Sequence, residues 1–198
     1  FILAKEINEK VKLDVPFLFK PIFSHEGVLV LKENLSANIS SVDPAYKKIG
    51  KYGVAFSNGT NKLQECRPLD PGKKTKLSAK LVNDFLKQSN SILEKHKLNV
   101  LRKNEYLLPA NVLIPVEAGV ALPNLQKKDD WGAIVNSNYA VGIARLAGMN
   151  LLIQDKVTIN EPEMYDYLSK SIKNKIKTSK NMIKNNSAKV YFIHFNEI

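Results

Sequence analysis

Trp131–Ile153, WGAIVNSNYAVGIARLAGMNLLI, decides the fold class. Trp131 to Val135 has the length and apolar character of a buried strand. Tyr139 to Gly148 reads as a helix of small residues, with Ala140, Gly142, Ala144, Ala147 and Gly148 permitting close backbone packing. Asn150 to Ile153 is apolar again and reads as a second strand. Strand, helix and strand joined by short connections predict a βαβ unit with a parallel pair. The chain is therefore expected to be mixed α/β, a mixed sheet with helices packed on it.

Downstream, Glu161 to Asn185 predicts a long helix, with Pro162 in its first turn and Tyr165, Leu168, Ile172, Ile176 and Ile183 along one face. Its lysines 170, 173, 177, 180 and 184 fall away from that stripe. Lys189 to Phe195 reads as a last strand. Upstream, Asn111 to Pro115 is a buried-strand candidate, and Asn99 to Tyr106 a short helix stopped before Pro109. Thr75 to Lys95 is the clearest helix, because Leu77, Leu81, Phe85, Ile92 and Leu93 recur at helical spacing. Residues 34–72, rich in Ser, Asn, Asp, Gly and Pro, read as an irregular excursion with short strands. Val11 to Pro21 alternates as a half-buried strand and pairs with Val28–Leu31 as a hairpin; Ala4 to Lys10 is helical.

The chain has 198 residues, 44% of them hydrophobic, enough for one compact domain with a sizeable core. Both ends read as cut, since Phe1 opens in helical pattern and Ile198 closely follows a strand. No apolar stretch reaches the ~20 residues that cross a bilayer, and no membrane partner is expected. One cysteine, Cys66, excludes an internal disulfide framework and a cysteine-rich zinc site and fits a reducing compartment, so the expected location is the cytoplasm. The net charge of +11 invites an anionic partner. Yet 27 of the 30 basic residues are lysine, and base-reading proteins lean on arginine forks. Nucleic acid is not the expected partner; the lysine and asparagine excess reads as coding bias and solvated faces.

Phosphate-binding glycine loops, nucleophile elbows and HExxH helices are absent from the sequence. His25 and His194 stand where strands end, and such positions gather sites in α/β proteins. His96, at a lysine-rich helix end, reads as a surface or capping residue. Asp43-Pro44 is a turn whose carboxylate could orient a ligand hydroxyl. Lys32, after an apolar strand, would suit an anion such as phosphate.

In their order, several segments resemble the archaeal type of 2,3-bisphosphoglycerate-independent phosphoglycerate mutase, a branch of the alkaline phosphatase superfamily. They are Ser24–Leu31 with its V-L-V-L strand, Val42-Asp43-Pro44, Glu65–Asp70 before the long helix, Leu108–Ile114, Ala140–Met149 and Val190–Glu197. The resemblance implies that residues 1–188 are the inserted, substrate-side cap domain and that 189–198 start the return strand into a catalytic domain lying outside this chain. It implies phosphoryl transfer between 2- and 3-phosphoglycerate through a phosphoserine, with divalent Mn, Mg or Zn in the full-length parent, no cofactor in this piece and no turnover by it alone. His25, Lys32 and Asp43 are the residues it offers to a phosphorylated substrate. Glu26, Lys32 and Val116-Glu117 replace arginines of the family pattern. The alternatives are therefore a diverged, non-catalytic binding module of the same fold, a homologue acting on another phosphorylated small molecule and, on charge alone, a basic nucleic-acid binder.

Overall fold

The long amphipathic helix of the first half organises everything around it. The structure, a computed structural model, describes residues 2–22, 26–49, 52–55, 62–135, 137–153, 164–185 and 188–194. Its elements are α1 (Ile2–Lys10), β1 (Phe17–Pro21), β2 (Gly27–Leu31), β3 (Tyr46–Ile49), β4 (Tyr52–Ala55), α2 (Lys73–Glu94), α3 (Lys97–Asn104), β5 (Trp131–Ile134), α4 (Asn138–Leu146), β6 (Asn150–Ile153), α5 (Met164–Lys184) and β7 (Val190–Ile193). Where one compact domain to residue 188 was expected, the chain divides into two compact units, Phe1–Leu122 and Pro123–Ile198.

In the first unit α2 buries two sides. Ala79 and Val82 close against Ile39, Val42 and Cys66 of the excursion. Phe85 and Leu93 meet Ile7 of α1 and Val11 just after it, joined by Phe17, Phe19 and Leu29 of the hairpin. Phe85 takes Phe17 at 5.7 Å and Phe19 at 5.9 Å between ring centroids, distances at which aromatic pairs attract beyond their burial. β1 and β2 pair antiparallel as expected, Phe17 opposite Leu31 through Pro21 opposite Gly27. The predicted first strand is shorter than its alternation, because Lys12 spends both backbone groups on the Gln88 side chain, N to Oε1 at 2.8 Å and O from Nε2 at 2.7 Å.

That amide clasp is repeated. Asn83 accepts from the Cys66 N and donates to its O, both at 2.9 Å. Asn8 does the same to Phe19 at 2.8 and 2.7 Å. Buried Asn99 does it to Ala110 at 2.8 and 3.1 Å and also donates to the Leu93 O. A primary amide presents one donor and one acceptor side by side, so it can stand in for a neighbouring strand and satisfy backbone that has none. Irregular segments are thereby pinned to helices. For this reason Asn111 to Pro115 is not the strand its apolar run predicts: its Asn111 carbonyl accepts from Asn90 Nδ2 at 2.9 Å, and no ladder forms along it.

Of the two readings of His96, capping holds and surface exposure does not. It is 8% exposed, and it caps the start of α3, its Nδ1 accepting from the Leu98 N at 3.1 Å. The excursion folds as a β3–β4 hairpin and a bridge between Ile39 and Pro68.

The second unit contains the βαβ unit of the opening stretch. β5 pairs parallel with β6 on one side and with β7 on the other, in the order β6-β5-β7. Ala133 and Val135 of β5 and its end pack on Ala140, Val141 and Ala144 of α4, with Met149, Leu151 and Phe192 around them. Gly148, at φ +71°, ends α4: its N bonds the Arg145 O at 3.1 Å and the Met149 N bonds the Ala144 O at 2.9 Å. Those two bonds satisfy carbonyls the helix end leaves open, and they need a left-handed residue. Gly142 is different, since a Cβ built there meets nothing within 4 Å; it does not serve close packing. The class is mixed α/β, but the described strands form three small sheets instead of one mixed sheet.

Candidate functional site

In the first unit, β2, the segment after it, α2 and residues 113–120 enclose a groove of about 1100 Å³. Leu31 and Glu33, flanking Lys32, line it, as does Val42 beside Asp43, but Lys32 and Asp43 themselves do not. Lys32 is exposed, and its backbone N closes the hairpin base on the Pro16 O at 2.8 Å. Asp43 is half-buried and holds its own turn: Oδ1 accepts from the Ala45 N at 2.8 Å, and its N donates to Ser41 Oγ at 3.0 Å. The turn reading of Asp43-Pro44 is thus realised, with the second carboxylate oxygen left over. His25 lies outside the described residues. The groove walls carry Glu26, Glu33 and Glu117 against Lys47, an acidic lining on a basic chain. Such a lining disfavours a phosphate dianion inside the groove and favours one at its lysine-bearing edge.

In the second unit, β5 leads through α4 to β6 on one side of it, and β7, which follows α5, pairs on its other side. The carboxyl ends of β5 and β7 therefore flank a topological switch point, where open α/β sheets bind ligands. His194 follows β7 directly, its N donating to the Ile134 O at 3.1 Å. Its Nε2 lies 3.2 Å from Tyr139 Oη, and the two rings meet edge to face at 5.4 Å. Tyr139 stands in the first turn of α4, whose Ser137 Oγ accepts from the Ala140 N. Lys175, 3% exposed, sends its ammonium from α5 to the His194 O at 2.8 Å. His194 Nδ1 is shielded from solvent without a hydrogen-bond partner. A hydroxyl, an imidazole and a buried ammonium thus meet at one strand edge, a set able to bind polar or anionic groups.

His194 was singled out by its place at a strand end; Tyr139 and Lys175 were not. For Lys175 a signal existed, since it alone of the six lysines of α5 falls off the outward stripe. For Tyr139 only the tertiary pairing reveals it. Among the described residues no three of His, Cys, Asp and Glu come together as metal ligands would.

With this architecture in hand, similarity to known proteins defines first the class: residues 2–99 match the sequence model of the family described as 2,3-bisphosphoglycerate-independent phosphoglycerate mutase. The enzyme of that name from Methanosphaera stadtmanae is 32% identical over 185 residues, 90% of this chain and 42% of its own. That from Methanopyrus kandleri is 30% identical over 161 residues, 79% of this chain and 35% of its own. A cofactor-independent phosphoglycerate mutase structure from Thermoplasma acidophilum aligns over 99% of this chain and 48% of that one, with 21% identity and a TM-score of 0.49. The chain belongs to the 2,3-bisphosphoglycerate-independent phosphoglycerate mutase family. It spans less than half the length of these curated relatives.

Proposed function

We propose that this chain is the substrate-side part of an enzyme that interconverts 2- and 3-phosphoglycerate, and that the remainder of the parent polypeptide carries out the phosphoryl transfer. One observation carries the reading: the 32% identity to a named mutase runs over 90% of the chain, both units included. In this reading the Lys32 ammonium, exposed at the groove edge, meets an anionic group of the substrate. The second oxygen of Asp43, on a carboxylate already oriented by Ala45, accepts a substrate hydroxyl. His25, between β1 and β2 in the sequence, is the third residue of this set. The proposed inserted domain is residues 1–188, with residues 189–198 starting the return strand into the catalytic part; β7 of that return pairs with β5 of the second unit. Divalent metals belong to the remainder of the parent, where they would stabilise charge on the transferring group. The proposed compartment is the cytoplasm; among the described residues no helix is long and apolar enough to cross a membrane.

The test is 3-phosphoglycerate turnover by the full-length parent beside the 198-residue chain. Turnover by the parent, none by the chain, and a KM raised about tenfold by Lys32→Ala or Asp43→Asn with kcat nearly kept are expected, since ~1.4 kcal/mol of uniform binding is a factor of ten. Unchanged KM in both variants sinks the assigned contacts. A second reading, a binding module without turnover, is favoured by the acidic groove lining and by Glu26 in a position where the family pattern has arginine. Binding of 3-phosphoglycerate by a parent that does not turn it over would select it.

A further inference from the structure

Helix α5 carries six lysines and one acidic residue, Asp166, in 21 residues. Five of the lysines, 170, 173, 177, 180 and 184, are exposed. Their spacing of three, four, three and four residues sets them on one line roughly 21 Å long, at ~1.5 Å rise per residue. Lys175 and Ser179 are buried on the opposite side, so the line points away from the unit's interior. Among the described residues none of the five has an ion-pair partner, whereas Lys10, Lys103 and Lys189 each have one and Lys80 has two.

A solvated helix face ordinarily interleaves acidic residues at i±4, because opposite charges there stabilise the helix and like charges destabilise it. Here Asp166, four residues before Lys170, is the one acidic residue of the element, and from Lys170 to Lys184 every neighbour along the line is another lysine, so the repulsion beyond the first of them has no counter-charge within the element. Unfavourable local electrostatics retained over four turns is the mark of a face complementary to something outside the chain. The complement must be anionic, extended and read by charge alone, since lysine is a point charge without arginine's fork.

We infer that the lysine line of α5 binds the phosphate backbone of nucleic acid without sequence preference. A strand's phosphates, one per ~3.4 Å of axis in B-form geometry, place roughly six charges along that length. A lipid surface is the poorer fit: an interfacial helix inserts an apolar face, and the buried face of α5 is occupied within its own unit, while exposed Ile176 and Ile183 stand to the side of the line. The scarcity of arginine, which argues against base reading, leaves backbone binding untouched.

The experiment is fluorescence anisotropy of the 198-residue chain with a labelled mixed-sequence single-stranded oligonucleotide across a salt series. Five neutralised phosphates give a log K against log salt slope of about −3.5, at about −0.7 per contact for single strands. The variant with Lys170, Lys173, Lys177, Lys180 and Lys184 changed to Gln is expected to lose at least tenfold in affinity and most of that slope. A control with exposed Lys73, Lys76, Lys87, Lys95 and Lys97 changed to Gln lowers net charge equally and is expected to keep both. Circular dichroism verifies that each variant is folded; if the α5 variant is not, charge reversal at Lys177 and Lys180 alone, with a twofold or greater loss expected, replaces it. Equal loss in the control, absence of binding at low salt, or preference for phosphatidylserine vesicles over the oligonucleotide overturns the inference.

Discussion

Asn99 shows how a single side chain holds irregular structure in place. It is fully buried, and its amide closes three hydrogen bonds, to the Leu93 O and to both backbone groups of Ala110. Asn99→Ala would leave the N and O of Ala110 without these partners and take one bond from the Leu93 O, which still accepts from the His96 N, and each unpaired group costs about 1–3 kcal/mol less whatever water recovers. The expected loss is roughly 2–4 kcal/mol in urea-induced unfolding followed by circular dichroism. Exposed Asn181→Ala, the comparison, is expected to stay within about 0.5 kcal/mol; equal effects would show that Asn99 is no clasp. This use of asparagine was not legible in the sequence, where its abundance reads as a compositional habit. An amide that pairs with backbone 11 or 17 residues away leaves no periodic trace. Which helix His96 caps was hidden for a similar reason: a lysine-rich helix end and the cap of a following helix look alike until the chain is seen to turn between them.

Elements were legible in proportion to their length and to how local their cause is. Helix α2 has about six turns of amphipathic pattern, and the βαβ unit has apolar strands flanking a small-residue helix; both stand within a few residues of expectation. Residues 111–115 misled because an apolar run says that side chains are wanted inside, not which backbone will pair with them. The α4 glycines separate the two meanings of that residue. Gly142→Ala places a methyl in open space within a helix and is expected to stabilise the second unit by about 0.5–1 kcal/mol, the ordinary propensity gain. Gly148→Ala forces a side chain into φ +71°, 3.2 Å from Asp129 Oδ1, and is expected to destabilise by about 1–2 kcal/mol. Trp131, on β5, reports both changes by fluorescence in thermal melts. Opposite signs are required; a shared sign would mean that the helix end is not held by the two bonds at Gly148.

Across the whole molecule, the division at residue 122 was hidden because no linker of distinctive composition marks it, and the pairing of β7 with β5 is settled only by topology. The division has an electrostatic counterpart. Among the described residues, the carboxylates held below their ordinary range all lie in the first unit: Glu6 beside Lys10, Asp14 beside Lys80, Asp70 bonded by Asn38, Thr75 and the Gly72 N, and Glu94 bonded by Lys103 and Asn111. Each has a folded-state pKa below its unfolded one, so its contribution is present in full above the unfolded value, near pH 4, and is lost as pH falls through the folded value. Asp14 is exposed and Glu6, Asp70 and Glu94 are half-buried; solvent reaches and screens all four, so each contribution is small and their direction is what counts. Acid should therefore loosen the first unit before the second. Titrated from pH 6 towards pH 2 at low salt, the chain is expected to lose far-UV circular dichroism from α1, α2 and α3 while emission from Trp131, the only tryptophan, still reports a folded second unit. Added salt should shift the first transition to higher pH, because screening weakens the pairs that depress these carboxylates. Coincident transitions by the two probes would mean that the units unfold as one, and that acid sensitivity does not reside in these four carboxylates.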